Sequence, residues 1–368
     1  MHQHSQGNPP RQAHKGIPEG CYEEEQGLNG FFGAVSHLIK KKPSTRWTKI
    51  DGPLKPRMFD LVKLGKTKSG QQRMLFNADV TISMQWLLPV APENLQAYRN
   101  ADGDLLYFCH EGSGEIYTEY GMLTYRKGSY IVVPKCLMHT IAADVASSFF
   151  VVENRGSHYE QPDRGLLGKH AIYDPAAVLP PDLEAQHKKL EKLGASLTKV
   201  EVKRLDQTTT FEYSENIYDT ISWKGDLFPF SLHVDDMMPV MSHRAHLPPS
   251  AHTTFVAREF VICTFLPRPL EKDKDALKVP FYHQNIDYDE VLFYHEGDFF
   301  SRDNLHAGMM SLHPAGFPHG PHPKAVKAVE QKSETSEYAI MVDTRNPLEI
   351  DSKLSGVELP DYWKSWRT

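Results

Sequence analysis

Cysteine is scarce, with Cys21, Cys109, Cys136 and Cys263 scattered over 368 residues and no CxxC spacing among them. That speaks against a disulfide framework and reads as buried, reduced thiols. Long apolar runs are missing as well. None approaches the ~20 residues that span a bilayer, and the polar start Met1-His2-Gln3-His4-Ser5-Gln6 lacks a secretory h-region. No membrane partner is expected, and the cytoplasm is the expected compartment. Nor is there an excess of one charge: 41 Lys and Arg stand against 47 Asp and Glu, a net −6 without any long basic run. Neither nucleic acid nor an anionic lipid surface is therefore an expected partner.

What the chain does have is a spaced set of polar residues between His283 and His319. The first half reads Tyr282-His283-Gln284-Asn285-Ile286-Asp287-Tyr288-Asp289-Glu290 and continues to Gly297. The second reads Gly308-x5-Pro314-Ala315-Gly316-x2-His319. Side chains that face into a small β-barrel alternate with those that face out, so neighbouring strands can bring several polar groups to one interior point. One histidine there would be a hydrogen-bonding core residue. Two imidazoles and a carboxylate make a facial triad with open positions, the arrangement of non-haem Fe(II) oxygenases, although the same ligands accept Mn.

This paired pattern resembles the motifs of the cupin superfamily, whose fold is a double-stranded β-helix or jelly roll. The resemblance implies His283, Glu290 and His319 as metal ligands. Asn285 stands where many cupins have a further histidine, which favours a site with two.

A weakened copy lies upstream. Asp104 to Gly112 parallels Asp289 to Gly297 at an offset of 185, and Gly128-x5-Pro134-Lys135-Cys136-x2-His139 parallels the second half. Tyr98 and Leu105 replace the first histidine and the glutamate, and His139 alone cannot hold iron. The expected fold is thus an all-β bicupin, a repeat with one degenerate copy. Residues 1–178 form an N-terminal arm and a degenerate barrel, 179–205 a helical connector, and 206–368 the metal-binding barrel. Alternation from Val80 to Leu88 predicts a half-buried strand. Further strands are expected at 114–120, 130–133, 148–152, 260–265, 291–294 and 338–342. Pro180-Pro181-Asp182 and Gly194 bracket a helix. His2, His4 and His14 are expected on the surface of a flexible or subunit-contacting arm.

At finer grain, Tyr282-His283-Gln284-Asn285 through Glu290, Met310-Ser311-Leu312-His313 and Pro318-His319-Gly320-Pro321 are similar to the homogentisate 1,2-dioxygenase family. Tyr218 to Gly225, His246-Leu247-Pro248-Pro249-Ser250 and, faintly, Gly20 to Glu25 add to it. The resemblance implies an Fe(II) enzyme that opens the ring of a small aromatic dihydroxy acid with O2, homogentisate giving maleylacetoacetate in aromatic amino-acid degradation. It further implies His246 as acid/base residue, His313 as a catalytic or supporting histidine, and a homo-oligomer, trimer or hexamer. Phe299, Pro314 and His322 depart from the family pattern and are expected to alter the pocket wall, which leaves gentisate- or hydroquinone-like para-diols open as substrates. A non-catalytic ligand-binding bicupin and a metal-dependent isomerase remain alternatives, since a fold hosts many functions.

Overall fold

A computed structural model describes residues 4–65, 69–194, 196–278, 282–299, 305–322, 325, 329 and 332–366. His2 lies outside them. Strands dominate, and the expected ones form: Val80–Leu87, Ser113–Thr118, Ser129–Val133, Ser147–Asn154, Phe260–Phe265, Asp289–Glu296 and Tyr338–Thr344. The helix spans Leu183–Leu193. Asp182 caps it by accepting from the Ala185 N–H, and Gly194 ends it in the left-handed conformation, as cap chemistry dictates. No helix among the described residues is long and apolar enough to cross a membrane.

The strands build two barrels whose inner pairings repeat. In the N-terminal barrel His139 pairs with Tyr98 and Leu105 with Val133. In the C-terminal barrel His283 bridges to His319 and Glu290 pairs with His313. Gly112 and Gly297 occupy matching turns at φ +100°, and a Cβ on Gly297 would lie 1.9 Å from the Ser336 carbonyl. Glycine is required there because no L side chain fits that backbone or that gap.

Central strands are buried on both faces, which explains why they read as apolar runs rather than alternating ones. Leu106, Phe108, Phe150 and Val152 meet Val291, Phe293, Ile340 and Val342 in one core that joins the barrels. Their neighbours Leu105, Tyr107, Phe149 and Val151 fill the interior of the first barrel. Phe150 and Phe293 stack at 4.7 Å on this seam. Beside them His110 Nδ1 lies 2.9 Å from His295 Nδ1. These two histidines hold equivalent places in the repeat, so the pseudo-twofold axis passes between them.

The halves also exchange strands. Hairpin Tyr22–Gly27 and Val35–Lys40 pairs in parallel with Tyr282–Asn285, and Arg57–Asp60 pairs with Met309–His313; all of these partners are in the C-terminal barrel. Reciprocally, hairpin Lys199–Arg204 and Gln207–Glu212 pairs with Ala97–Asn100, and Phe230–His233 pairs with Ser129–Val133. Two expectations change accordingly. The 205/206 boundary falls in the hairpin turn, where Leu205 and Asp206 both have positive φ. The N-terminal arm is folded onto the C-terminal barrel of its own chain, and His14 is buried, not on the surface, while His4 is exposed.

Candidate metal centre

His283 and Glu290 are not on one continuous strand. The chain leaves Tyr282–Asn285, which belongs to the sheet with the N-terminal hairpin, and enters Asp289–Glu296 in the six-stranded sheet. Residues 286–288 make the crossing, so the two side chains arrive from different sheets. The third comes with the backbone bridge: His283 N–H donates to the His319 carbonyl at 2.8 Å and His319 N–H returns the bond at 2.9 Å. Glu290 Oε2 lies 3.1 Å from His319 Nε2 and 3.6 Å from His283 Nε2. Donor atoms of the three lie within 4.8 Å of one another, and all three residues are buried. Two imidazole nitrogens and a carboxylate oxygen at this spacing fit one divalent ion of the Fe, Mn or Zn type.

Supporting bonds fix the orientation of His319 and Glu290. His319 Nδ1–H donates to the Phe317 carbonyl at 3.0 Å, which leaves the Nε2 lone pair directed at Glu290. His313 takes the other oxygen of the glutamate, with Nδ1 2.8 Å from Oε1, and its Nε2 receives the Tyr362 hydroxyl at 3.2 Å. Trp366 closes this corner, its indole N–H on the Gly320 carbonyl. Burial alone would push the Glu290 carboxyl up, but the three imidazoles facing it hold it well below the usual carboxylate range. Burial pulls His319 down, against the opposing pull of Glu290. Asp343, opposite Glu290 in register, is pushed well up by burial and by that neighbouring charge.

A pocket opens on His283 and Glu290. Among its lining residues are His246, His252, Arg268 and Lys278, with Leu247, Phe265, Leu292 and Met341 supplying apolar walls. His246 Nδ1 lies 2.9 Å from Glu271 Oε1. Burial lowers the His246 pKa, and Glu271 opposes the shift. The structure thus brings His246 to the same cavity as His283 and Glu290 and puts His313 on the opposite oxygen of Glu290. Phe299 packs on Tyr294 in an apolar cluster. Neither it, Pro314 nor His322 is among the lining residues, so the expectation that these departures reshape the pocket wall is corrected.

Sequence reading missed His252, Glu271, Arg268, Lys278 and Tyr362. His252 was within reach, two residues beyond the His246–Ser250 segment. Glu271 and Arg268 lie in irregular chain after Phe265, where no periodicity tells which side chains turn inward.

Residues 23–234 match the family described as homogentisate 1,2-dioxygenase, N-terminal. Over 99% of its length the chain is 30% identical to a protein of Saccharolobus solfataricus whose name proposes a dioxygenase and states no substrate; 99% of that protein is covered. It is 26% identical to the homogentisate 1,2-dioxygenase of Dictyostelium discoideum over 74% of this chain, and spans 65% of that enzyme, less than two thirds of its length. A cupin barrel protein of Leptotrichia buccalis overlays 78% of this chain and 96% of its own, at 11% identity and a TM-score of 0.39. A family match across more than half the chain, joined to a relative that runs nearly end to end, makes this protein a member of the homogentisate 1,2-dioxygenase family.

Proposed function

We propose that the chain is a non-haem Fe(II) dioxygenase that cleaves the ring of a para-dihydroxyphenyl carboxylic acid, with homogentisate as first candidate. Both atoms of O2 would enter the ring-opened product. The observation that carries this reading is the convergence of His283, Glu290 and His319, two of which, His283 and Glu290, line a pocket that also presents His246, Arg268 and Lys278. His283 Nε2, His319 Nε2 and a Glu290 oxygen would hold the ion. Iron at such a site supplies acidity to a bound phenol and a path for O2 to the ring electrons.

The remaining steps belong to the protein. With Glu271 accepting Nδ1–H, His246 keeps its Nε2 lone pair for the pocket, and its lowered pKa keeps it neutral and able to take a phenolic proton near pH 7. Glu271 stabilises the imidazolium that forms. Arg268 and Lys278 provide positive charge for the substrate carboxylate, and Arg268 is the better shaped for it, since its fork matches two oxygens. The apolar walls exclude water and accept the ring. His313, held by Tyr362, positions Glu290 and moves no proton of the substrate.

The test is metal analysis of protein purified without oxygen, then oxygen uptake with homogentisate, gentisate and hydroquinone. Iron-dependent uptake with appearance of a ring-opened chromophore is expected, strongest for the acids. A metal-loaded protein that consumes no oxygen with any of the three would sink the reading.

A further inference from the structure

The N-terminal arm carries a second group of histidines and glutamates that the barrel centre does not use. The His14 ring sits between two carboxylates, with Nδ1 3.0 Å from Glu23 Oε2 and Nε2 3.2 Å from Glu25 Oε2. His37 Nδ1 is 3.1 Å from Glu23 Oε1 and 4.0 Å from Glu25 Oε2. Donor atoms of His14, Glu23 and His37 all lie within 4.8 Å of one another, the same test the barrel triad meets. Imidazole nitrogen and carboxylate oxygen at this spacing can close on one ion at about 2.0–2.2 Å.

The cluster has features that an ordinary salt bridge does not explain. Glu23 and Glu25 are 4% and 3% exposed, yet the lysine of the same hairpin, Lys40, pairs with Glu24, whose side chain alternates to the opposite face. Two buried carboxylates thus face two imidazoles. Glu25 Oε2 makes no hydrogen bond, its approach to His14 Nε2 lying outside hydrogen-bonding geometry. His14 itself is held at φ +62°, a conformation unfavourable for a side chain with a Cβ, and its N–H donates back to Glu23. Finally, the equivalent hairpin on the other barrel has Lys199, Glu201 and Thr210 where this one has Glu23, Glu25 and His37, and it pairs in the same way. The architecture therefore does not demand the cluster.

We propose that His14, Glu23, Glu25 and His37 bind a second divalent transition cation, separate from the barrel centre, at the edge where His37 meets solvent. Glu25 lies in register beside His283. The ion would clip the arm to the strand that supplies a ligand to the barrel centre. Zn2+, Mn2+ and Fe2+ all suit the donors. The competing state is a protonated His14 clamped by both glutamates with no ion.

Co2+ separates the two. Chelator-stripped, full-length protein is titrated at micromolar free cobalt without oxygen, then desalted and read by metal count and visible absorption. About two equivalents are expected for the natural chain and about one for His37→Ala or the near-isosteric Glu25→Gln. His283→Ala should keep about one, and adding His37→Ala to it should remove that one. Melting curves establish that each variant is folded; His37 is exposed and its loss leaves no core cavity. Equal uptake by the natural chain, His37→Ala and Glu25→Gln would overturn the proposal, as would binding that appears only at millimolar cobalt. If instead His283→Ala still takes two while His37→Ala takes one, the arm site stands and the barrel assignment falls.

Discussion

The two barrels share a backbone and differ in their interiors. Tyr98 and His139 pair across strands as His283 and His319 do, and Leu105 faces Val133 as Glu290 faces His313. Yet in the first barrel the Tyr107 hydroxyl reaches His139 Nε2 at 2.8 Å, which uses the nitrogen that an ion would need. Burial drives that imidazole down to about 4, so it stays neutral, with Tyr107 on its Nε2. Leu105 at the equivalent place gives this barrel no counterpart to the Glu290 carboxylate. Strand pairing and seam packing are indifferent to that difference because they rest on the opposite faces of the strands, Leu106, Phe108, Val291 and Phe293. The lesson is that one inward-facing layer of alternating residues can be polar in one barrel and apolar in the other while the fold is the same.

The largest expected effect tests that separation. Glu290→Ala, His283→Ala or His319→Ala should each abolish barrel metal binding and turnover while the far-UV spectrum and the N-terminal barrel persist. Stoichiometric iron with full turnover in any one of them would remove that residue from the centre. Next in size is His246→Gln, which should keep iron and lose about 10²- to 10⁴-fold in turnover. The deficit should shrink at higher pH, where more of the phenol is already ionised. Single-turnover rates across pH decide it, and an undiminished rate would leave His246 a packing residue.

The seam itself can be broken. Phe293→Ala removes the ring stacked on Phe150 and should cost about 3–5 kcal/mol. Both barrels should lose stability together in calorimetry, since strand exchange couples them; two separated transitions would show them to be independent. Acid supplies a gentler probe. Burial draws His139, His252 and His295 from 6.5 to about 4, about 3 and about 3. Because the folded values lie below the unfolded one, the unfolded chain takes protons first. Their contribution is intact above pH 6.5 and drains away as pH falls toward 4 and 3, by on the order of 1.4 kcal/mol per pH unit per histidine. Denaturant midpoints at intervals from pH 7.5 to 4.5 measure that slope, and a flat profile contradicts it. The smallest effect is His139→Ala, which should leave barrel metal content unchanged. Iron loss there would exchange the roles of the two barrels.

Much of this was legible in the sequence because a repeat makes its own control. The 185-residue offset pairs Tyr98 with His283 and Leu105 with Glu290, and backbone register bears both out. Strand positions were legible because β-rich runs and turn glycines are local signals. What stayed hidden depends on where distant segments meet. No pattern within residues 22–40 says that this hairpin leaves its own half for the other barrel, nor that His14 is buried against it. Glu271 is 25 residues from His246, and only the folded irregular chain brings its carboxylate to that imidazole.

Exchanged strands also impose a timetable. Strand Arg57–Asp60 leaves the ribosome about 250 residues before its partner Met309–His313 and about 300 before the closing residues Tyr362 and Trp366. At about 5–20 residues per second, that segment waits roughly 15–60 s for them. The C-terminal barrel is thus completed long after its first strands are made, and these must be kept from wrong partners until then. An ion held by His283, Glu290 and His319 would accordingly be taken up only after these late segments have joined the early ones.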